Sequence, residues 1–320
     1  MARVKRMDAL TGKPHPPAPK FFERIRKECI PSIDAATVPL VAVQNSRIVH
    51  DRTGVLYQIG DHHFILTASH AGENGDQNLR DVIQNEIPLY VPVNADGVLP
   101  IPLCGANFHG TEVNGRDIAV IRLPNDVASQ IALHKRFILH NAVRVDDNER
   151  TGGYVIVGFP MDWSCQKLGE DYLYSDPLIY YCKRYMGEVD PQSAYSPEVH
   201  VLLGFERNAR NVTIGQDEQI PLPSGISGCG VWRVADPWRR ELQAVSSANV
   251  SLVGVQNKWH RGLNYIMATR ISWVLQCILH GYPELERPMR LAYPKNVSSG
   301  RIMVAQLFGN WVPHLGSAGR

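Results

Sequence analysis

The sequence predicts an all-β fold followed by one amphipathic helix. Ten short runs rich in β-branched and aromatic residues follow one another from Val38 onward, with hardly a helical pattern between them. A parallel sheet needs long crossover connections, so this spacing disfavours one. The 26 glycines and 22 prolines are spread along the chain, as many short strands joined by turns require.

The strands are predicted from local composition, in chain order. The runs are VPLVAV (38–43), GVLYQI (54–59), HFILTAS (63–69), EIPLYVPV (86–93), DIAVIRL (117–123), YVIVGFP (154–160), VHVLLGF (199–205), CGVWRV (229–234), SLVGV (251–255) and NYIMA (264–268). Gly60 and Asp61 separate the second run from the third and are typical of a two-residue hairpin turn.

Helical spacing is found in three places. Residues 127–138 predict one helix, and a stronger one follows Thr269, which suits an N-cap, and stops at Gly281. The apolar stripe of this second helix has i, i+3, i+4, i+7, i+8 spacing and consists of Ile271, Val274, Leu275, Ile278 and Leu279. A short helix docked on the body is indicated near the N-terminus by Phe21, Phe22 and Ile25.

Composition and charge argue against several classes of function. The formal net charge of +2 gives no general attraction to nucleic acid or to acidic membranes. No run of about 18 apolar residues is present, so we expect no membrane span. The N-terminal residues are basic and lack the apolar centre of a secretory signal, which indicates a cytoplasmic protein. We expect no cofactor.

The cysteines match no zinc-binding pattern, because all six are widely spaced. They are Cys29, Cys104, Cys165, Cys182, Cys229 and Cys277. In a reducing compartment we interpret them as free thiols. A disulfide between Cys165 and Cys182 is the alternative.

The first motif that could carry chemistry is FILTASH (64–70), an apolar strand that ends in small residues and His70. A histidine at a strand end can point its ring into a cleft above the sheet. Alternatively, an isolated His70 is a polar residue at the start of a loop.

The second motif is GRDIAVIRLP (115–124), in which Asp117 opens an apolar strand. A carboxylate at the mouth of a buried strand costs free energy unless it meets hydrogen-bond donors or a cation. An imidazole N–H would satisfy it and would fix the tautomer of the ring. A strand-capping aspartate bonded to nearby backbone amides is the alternative.

The third motif is PLPSGISGCGVW (221–232), where Ser227 stands between Gly225 and Gly228. Such glycine density lets the backbone turn tightly and point successive N–H groups at one spot. Donors arranged in this way stabilise the oxyanion that forms from a reacting carbonyl. The alternative is a glycine-rich turn that happens to contain a serine.

Together, these motifs resemble those of the chymotrypsin-like (trypsin-fold) serine peptidases. LTASH is similar to the family's LTAAH motif, DIAVIRL to its DIAL-type aspartate strand and GISGCG to its GDSGGP nucleophile loop, in the family's order of His, Asp, Ser. SLVGV resembles the strand beside the specificity pocket, and ATRISWVLQCI resembles the closing C-terminal helix. The resemblance covers residues 38–280 and is to an intracellular, bacterial-type member.

The resemblance implies a chymotrypsin-like double antiparallel β-barrel, with six strands in each barrel and the cleft between them. The implied activity is that of a serine endopeptidase, in which Ser227 attacks the scissile carbonyl, His70 moves the proton and Asp117 holds the imidazole. The backbone N–H groups of Gly225 and Ser227 would form the oxyanion hole.

The resemblance also divides the chain into four parts. They are 1–37, an N-terminal arm and short helix; 38–145, the first barrel; 146–281, the second barrel and closing helix; and 282–320, an extension expected to wrap the surface. Within the second barrel, we expect residues 161–220 to supply loops around the cleft.

Three positions depart from the family pattern. Ile226 stands where secreted members carry an aspartate that pairs with a newly cut N-terminus, so we expect an enzyme that needs no processing or one that a partner controls. Cys229 replaces a usual glycine and lies past the oxyanion loop, so we do not expect it to be the nucleophile. Ala71 replaces a usual half-cystine, in keeping with an intracellular protein.

The resemblance places the specificity pocket around 221–224 and 251–258. The candidate lining residues are Ser224, Val255, Gln256 and Asn257. No aspartate occupies the expected base of the pocket, so a preference for Arg or Lys is unsupported and we expect a small or apolar P1 residue. The expected partners are a protein or peptide substrate and, as an option, a regulatory protein, with no nucleic acid and no membrane.

Two other enzymatic or metal-binding interpretations are weaker. An α/β-hydrolase would use Ser227, Asp236 and His260, but its serine needs a strand–turn–helix elbow, and the VWRV that follows is typical of a strand. Adjacent residues of a strand point to opposite faces, which disfavours a shared metal at His62, His63 and His109. We therefore expect no metal.

The alternative from a different class is a trypsin-fold module that binds proteins without catalysis. Loss of any of the three residues His70, Asp117 and Ser227 would favour that interpretation, and none is lost.

Overall fold

The computed structural model describes residues 2–4, 19–44, 47–71, 77–78, 88–93, 99–111, 115–147, 153–166, 173–211, 217–234, 249–298 and 302. Its strands are β1 (Ala2–Val4), β2 (Thr37–Gln44), β3 (Arg47–Ile59), β4 (His62–Thr67), β5 (His70–Ala71), β6 (Gln77–Asn78), β7 (Leu89–Val91), β8 (Ile101–Pro102), β9 (Asn107–Thr111), β10 (Ile118–Leu123), β11 (Gly153–Gly158), β12 (Ser164–Gln166), β13 (Leu173–Ser175), β14 (Leu178–Lys183), β15 (His200–Gly204), β16 (Asn208–Asn211), β17 (Asp217–Gln219), β18 (Gly230–Val234), β19 (Ser251–His260) and β20 (Tyr265–Arg270). Its α-helices are α1 (Pro19–Glu28), α2 (Ile30–Ala35), α3 (Asn125–Ala132), α4 (Ile271–Gly281), α5 (Glu286–Ala292) and α6 (Pro294–Ser298). Short 3₁₀ turns cover His140–Ala142, Met161–Trp163, Arg261–Leu263 and Pro283–Leu285.

The first large sheet contains seven strands in the order β8-β7-β2-β3-β4-β10-β9, all paired antiparallel. Its longest strand, β3, turns into β4 at Gly60 and Asp61, where the sequence predicted the hairpin; Gly60 has a positive φ of 56°. The sheet curls around an apolar core that includes Leu40, Leu56 and Ile65.

The second large sheet contains nine strands in the order β15-β20-β19-β18-β11-β14-β1-β16-β17. Its pairs are antiparallel except for β1 with β14. The two curled antiparallel sheets confirm the double β-barrel of chymotrypsin-like type predicted from the sequence. In the described residues they have seven and nine strands rather than six each, because short strands such as β8 and β17 extend their edges.

All ten predicted strands are present, including β15 inside the segment 161–220, but the interpretation of the rest of that segment as loops is wrong for β14. Strand β14 lies inside the second sheet between β11 and β1, and β15 forms an edge beside β20. Tyr180 and Tyr181 of β14 are both buried, and Phe205, which follows β15, shares the core of Tyr180. Tyr180 and Tyr181 therefore belong to the core, because a tyrosine ring buries well when its hydroxyl finds a partner; the Tyr180 hydroxyl accepts from Glu206 N–H at 3.1 Å.

The helices depart from their predicted limits for reasons of backbone pairing. Helix α3 ends at Ala132 rather than at residue 138, because Ile138 instead exchanges backbone hydrogen bonds with β3: its N–H donates to Leu56 O at 3.0 Å. Helix α4 begins at Ile271 with Arg270 as the N-cap residue, so the prediction of Thr269 as N-cap is wrong by one position. None of the helices in the described ranges is long and apolar enough to cross a membrane.

The core between the two barrels is built partly by the chain segments outside them. The N-terminal helices contribute Phe22, Ile25 and Ile33, and the C-terminal segment contributes Leu285, Met289, Tyr293 and Ile302. The Tyr293 hydroxyl also contacts the Tyr57 hydroxyl of β3 at 3.0 Å inside this core. The segment after residue 281 therefore does not simply wrap the surface, as the sequence suggested; it inserts side chains between the barrels.

Helix α4 contacts the first barrel through a pair of histidines. His280 Nδ1 lies 3.1 Å from Nε2 of His109 in β9, and the two rings stack with centroids 5.1 Å apart. Burial, with a smaller contribution from His280, lowers the pKa of His109 from 6.5 to about 4. Burial also lowers the pKa of His280.

We expect this pair to destabilise the fold in mild acid. Between pH 6.5 and 4 the unfolded chain binds a proton at position 109 that the folded chain does not, so the free energy of unfolding falls as pH falls, by at most about 3 kcal/mol for this group. Urea unfolding at pH 7.5 and pH 4.5 measures how far the free energy of unfolding falls in acid. We expect this fall to be smaller for His109→Gln than for the wild type. His134→Gln, at an exposed histidine, serves as control. If the free energy of unfolding fell as far in acid for His109→Gln as for the wild type, His109 would not be the cause.

Candidate active site

The ends of two neighbouring strands bring His70 and Asp117 together. Strands β4 and β10 pair antiparallel with Thr67 opposite Ala119. His70 lies three residues after Thr67, and Asp117 lies two residues before Ala119, so both emerge at the same end of the sheet. Ser227 comes from the other barrel, in the turn that precedes β18. The cleft between the barrels therefore collects the three predicted residues.

Asp117 is bound by three donors, all from the segment that carries His70. Its Oδ1 accepts hydrogen bonds from the backbone N–H of Ser69 at 2.7 Å and of His70 at 3.0 Å, and its Oδ2 is hydrogen-bonded to His70 Nδ1. The side chains of His70 and Asp117 are 21% and 18% exposed. Asp117 Oδ2 accepts a hydrogen bond from His70 Nδ1. The neutral ring therefore carries its proton on Nδ1 and presents an unprotonated Nε2 to the cleft.

Ser227 faces that free nitrogen. Its Oγ lies 3.5 Å from His70 Nε2, which is longer than the roughly 2.6–3.2 Å of a tight catalytic hydrogen bond. Such contacts are often long before substrate binds and tighten in the reacting complex. The arrangement can pass a proton from a hydroxyl to an imidazole that a carboxylate orients.

The loop that carries Ser227 consists of two successive tight turns. Ile226 N–H donates to Pro223 O, and Cys229 N–H donates to Ile226 O. The third position of each turn is a glycine in the left-handed region, Gly225 with φ 87° and Gly228 with φ 91°. Within the described residues, the N–H groups of Gly225 and Ser227 donate no hydrogen bond; Gly225 is buried and Ser227 is half-buried.

Thr53 of β3 fastens this loop to the first barrel. Its N–H donates to Ser227 O at 2.9 Å, and its Oγ1 donates to Gly225 O at 2.8 Å and accepts from Phe159 N–H at 3.0 Å. One residue of the first barrel therefore fixes the backbone on both sides of Ile226. This bracing sets the position of Ser227 relative to His70.

The side chains that flank Ser227 anchor the loop in the second barrel. Ile226 is buried there and packs against Gly158. A Cβ added to Gly158 would lie 2.9 Å from the Cβ of Ile226. Cys229 is also fully buried, and burial raises the pKa of its thiol. A buried, protonated thiol that points away from the cleft does not act as a nucleophile.

The predicted pocket residues lie beside the serine loop, in different surroundings. Ser224 accepts a hydrogen bond from Met161 N–H through its carbonyl oxygen at 2.8 Å, and Val255 packs in the core between the barrels. Gln256 pairs through its backbone with Gly228 and Cys229, while the Asn257 side chain donates to Thr269 Oγ1 at 2.9 Å.

The α/β-hydrolase and the disulfide considered from the sequence do not fit the structure. Strand β18, and not a helix, follows Ser227, so this serine does not stand on the strand–turn–helix elbow of an α/β-hydrolase. Asp236 lies outside the described residues. His260 Nδ1 lies 3.6 Å from Asp190 Oδ2, and its ring stacks on Tyr265. Cys182 is a free, buried thiol, so it does not pair with Cys165.

The three histidines considered for a metal each have a separate environment. His62 accepts a hydrogen bond from Arg122, His63 packs on the Phe137 ring and His109 stacks on His280. No group of three potential ligands occurs within the described residues.

Two residues that support the site could not be singled out from the sequence. Thr53 and its neighbour Arg52 precede the predicted strand 54–59, in a stretch without a motif. Thr53 acts on residues about 170 positions away, and Arg52 donates to the carbonyl groups that precede His70. Long-range contacts of this kind leave no local pattern; the only signal was a charged residue next to a strongly apolar strand.

Comparison with known proteins gives likenesses of fold at low identity. No protein-family model matches the chain, and no curated protein sequence matches it. Among solved structures, the chain is similar to a serine endoprotease from Yersinia pestis (TM-score 0.40, 13% identity, 84% of this chain and 66% of that one) and to a Glu endopeptidase (TM-score 0.40, 12% identity, 80% and 93%). It is also similar to the tobacco etch virus protease (TM-score 0.37, 12% identity, 82% and 78%). The fold is defined by the strand order and pairing of the structure itself.

Proposed function

We propose that this chain is a serine endopeptidase that hydrolyses peptide bonds through an acyl-enzyme on Ser227. The observation that carries the proposal is the position of the His70 ring, with Nδ1 bonded to the Asp117 carboxylate and Nε2 3.5 Å from Ser227 Oγ. A serine hydroxyl is a weak nucleophile unless an adjacent base removes its proton. His70 supplies that base, and Asp117 keeps its ring in the tautomer that can act.

Acylation follows from this geometry. Ser227 Oγ attacks the carbonyl carbon of the scissile bond while its proton moves to His70 Nε2, and the carbonyl oxygen becomes an oxyanion. The positive imidazole is stabilised by Asp117. When the intermediate collapses, the C–N bond breaks and His70 returns the proton to the leaving amine.

Two backbone amides are suited to the oxyanion. The N–H groups of Gly225 and Ser227 are free of other acceptors within the described residues, and Thr53 fixes the carbonyl groups of the same two residues. Donors held in place before the reaction lose no free energy to reorganisation. Deacylation repeats the sequence with water, which gives its proton to His70 and releases the peptide acid from Ser227.

The apolar anchor of Ile226 supports an enzyme that needs no N-terminal processing. Its side chain is buried in the second barrel and holds the serine loop by packing. No ion pair with a new N-terminus is required for that position. We therefore propose that activity does not depend on cleavage to make a new N-terminus.

Labelling with a fluorophosphonate probe tests the proposal. The wild type should be labelled, while Ser227→Ala and His70→Ala should lose labelling, with rates lower by about 10⁶. Cys229→Ala should still be labelled, which separates the serine from the buried thiol beside it. Cleavage of bonds inside unstructured peptides would then distinguish an endopeptidase from other serine hydrolases.

A partner-gated or inactive binding module is the second candidate. The observation that favours it is the same 3.5 Å separation, which is long for proton transfer. A folded wild type that remains unlabelled would support this candidate against constitutive activity. Recovery of labelling in the presence of a binding protein would then identify the gate.

A further inference from the structure

A fully buried arginine lies behind the segment that carries His70. Arg52, in β3, is 0% exposed, and its Nη1 donates to Ala68 O at 2.7 Å and to Ser69 O at 3.0 Å. A guanidinium cannot lose its proton under ordinary conditions, so the positive charge is present inside the protein. A buried cation is costly unless its surroundings compensate it, which makes its placement here informative.

The two carbonyl groups belong to the same peptide units that bind Asp117. Ala68 C=O and Ser69 N–H form one unit, and Ser69 C=O and His70 N–H form the next. Both N–H groups donate to Asp117 Oδ1, at 2.7 Å and 3.0 Å. In a trans peptide the C=O and N–H point in opposite directions, so the cation and the carboxylate lie on opposite sides of this segment.

The local backbone explains how both units can point the same way. In an extended strand, successive N–H groups point to opposite sides, but the chain bends at Ser69, between β4 and β5. Because of the bend, both peptide units point the same way, with their N–H groups toward Asp117 and their C=O groups toward Arg52. Hydrogen bonds in such chains polarise one another, so a cation at the carbonyl end strengthens the N–H donors at the other end.

From this geometry we propose that Arg52 is a positioning residue for His70 and Asp117, acting through the two peptide units at 68–70. Its charge polarises both units, strengthens their hydrogen bonds to the Asp117 carboxylate and so fixes the carboxylate that orients the His70 ring. The proposal rests on the proposed function of the triad. Arg52 itself does not touch the reacting atoms.

Two substitutions separate the charge of Arg52 from its ability to donate hydrogen bonds. Arg52→Lys keeps the charge, and Arg52→Gln keeps a neutral donor. We expect Arg52→Gln to lower the limiting rate of fluorophosphonate labelling about tenfold or more, with the half-saturating probe concentration unchanged, and Arg52→Lys to lose clearly less. Arg184→Met, which removes a half-buried arginine bonded to Asp147 in the other barrel, serves as control and should label like the wild type per folded molecule.

NMR measures the effect of Arg52 on the hydrogen bond between His70 and Asp117 without depending on activity. The proton between His70 Nδ1 and Asp117 should give a downfield NMR resonance in the wild type, and that resonance should move or broaden in Arg52→Gln more than in Arg52→Lys. If the wild type does not label, the proposed function fails, and the resonance alone decides the role of Arg52. If Arg52→Gln does not fold, Arg52→Asn, which also keeps a neutral amide donor, replaces it in the comparison.

Equal labelling by Arg52→Lys and Arg52→Gln, with the resonance unchanged in both, would overturn the proposal. Arg52 would then only hold the bend in place.

Discussion

Asp117→Asn should fold like the wild type, and its labelling rate should be about 10⁴-fold lower. The same substitution lowers kcat by about that factor in serine-protease triads. The reason lies in how the carboxylate is held. Two backbone N–H groups require an acceptor at Oδ1, so the asparagine must keep its oxygen there and turn its NH₂ toward His70. His70 Nδ1 then has to accept, its proton moves to Nε2, and the ring can no longer take a proton from Ser227.

The chain offers a matched control in a second histidine–carboxylate pair. Asp190 lies 3.6 Å from His260 Nδ1. Asp190→Asn changes the same chemical group beside the same kind of ring, and its labelling rate should equal that of the wild type. Wild-type labelling by a folded Asp117→Asn variant would show that the serine is activated without this carboxylate.

Gly228→Ala is expected to disrupt both the fold and the activity. A Cβ at this position would lie 2.1 Å from Thr53 O and 2.1 Å from Thr67 Oγ1, and the φ of 91° is one that side chains rarely adopt. Neither obstacle can move cheaply, because Thr67 Oγ1 donates to Thr53 O in the wall of the first barrel. We expect a loss of about 4 kcal/mol or more in the free energy of unfolding, together with loss of labelling.

Gly262→Ala is the control for this substitution. Gly262 lies on a 3₁₀ turn with nothing within 4 Å of an added Cβ, so the change should leave the unfolding free energy within about 0.5 kcal/mol. Urea unfolding and probe labelling of both variants make the comparison. A stable, active Gly228→Ala variant would show that the contact between the serine loop and β3 is looser than the structure has it.

The strands and the three candidate residues could be predicted because each depends on neighbours in sequence. An apolar run with β-branched residues forms a strand almost wherever it is placed, and His70, Asp117 and Ser227 each stand in a motif a few residues long. The buried β14 was missed because its tyrosines and its position between polar stretches resemble a surface segment. Its burial depends on pairing with β11, which local composition does not reveal.

The residues that position the site follow a different rule. Thr53 and Arg52 act on parts of the chain that only the closed barrel brings near them, and the C-terminal segment fills a space that exists only between two formed barrels. Such roles arise from tertiary contacts. A single sequence carries no period or spacing for them.

The core between the barrels also has a consequence for the order of events during synthesis. Ser227 leaves the ribosome well before Leu285, Met289 and Tyr293, which complete that core. Each barrel can collapse as it emerges, yet the surface that presses the two together stays unfinished until those later residues are translated. A nascent chain that has reached Ser227 would thus carry His70, Asp117 and Ser227 without the packing that holds them in register, until those later residues are added.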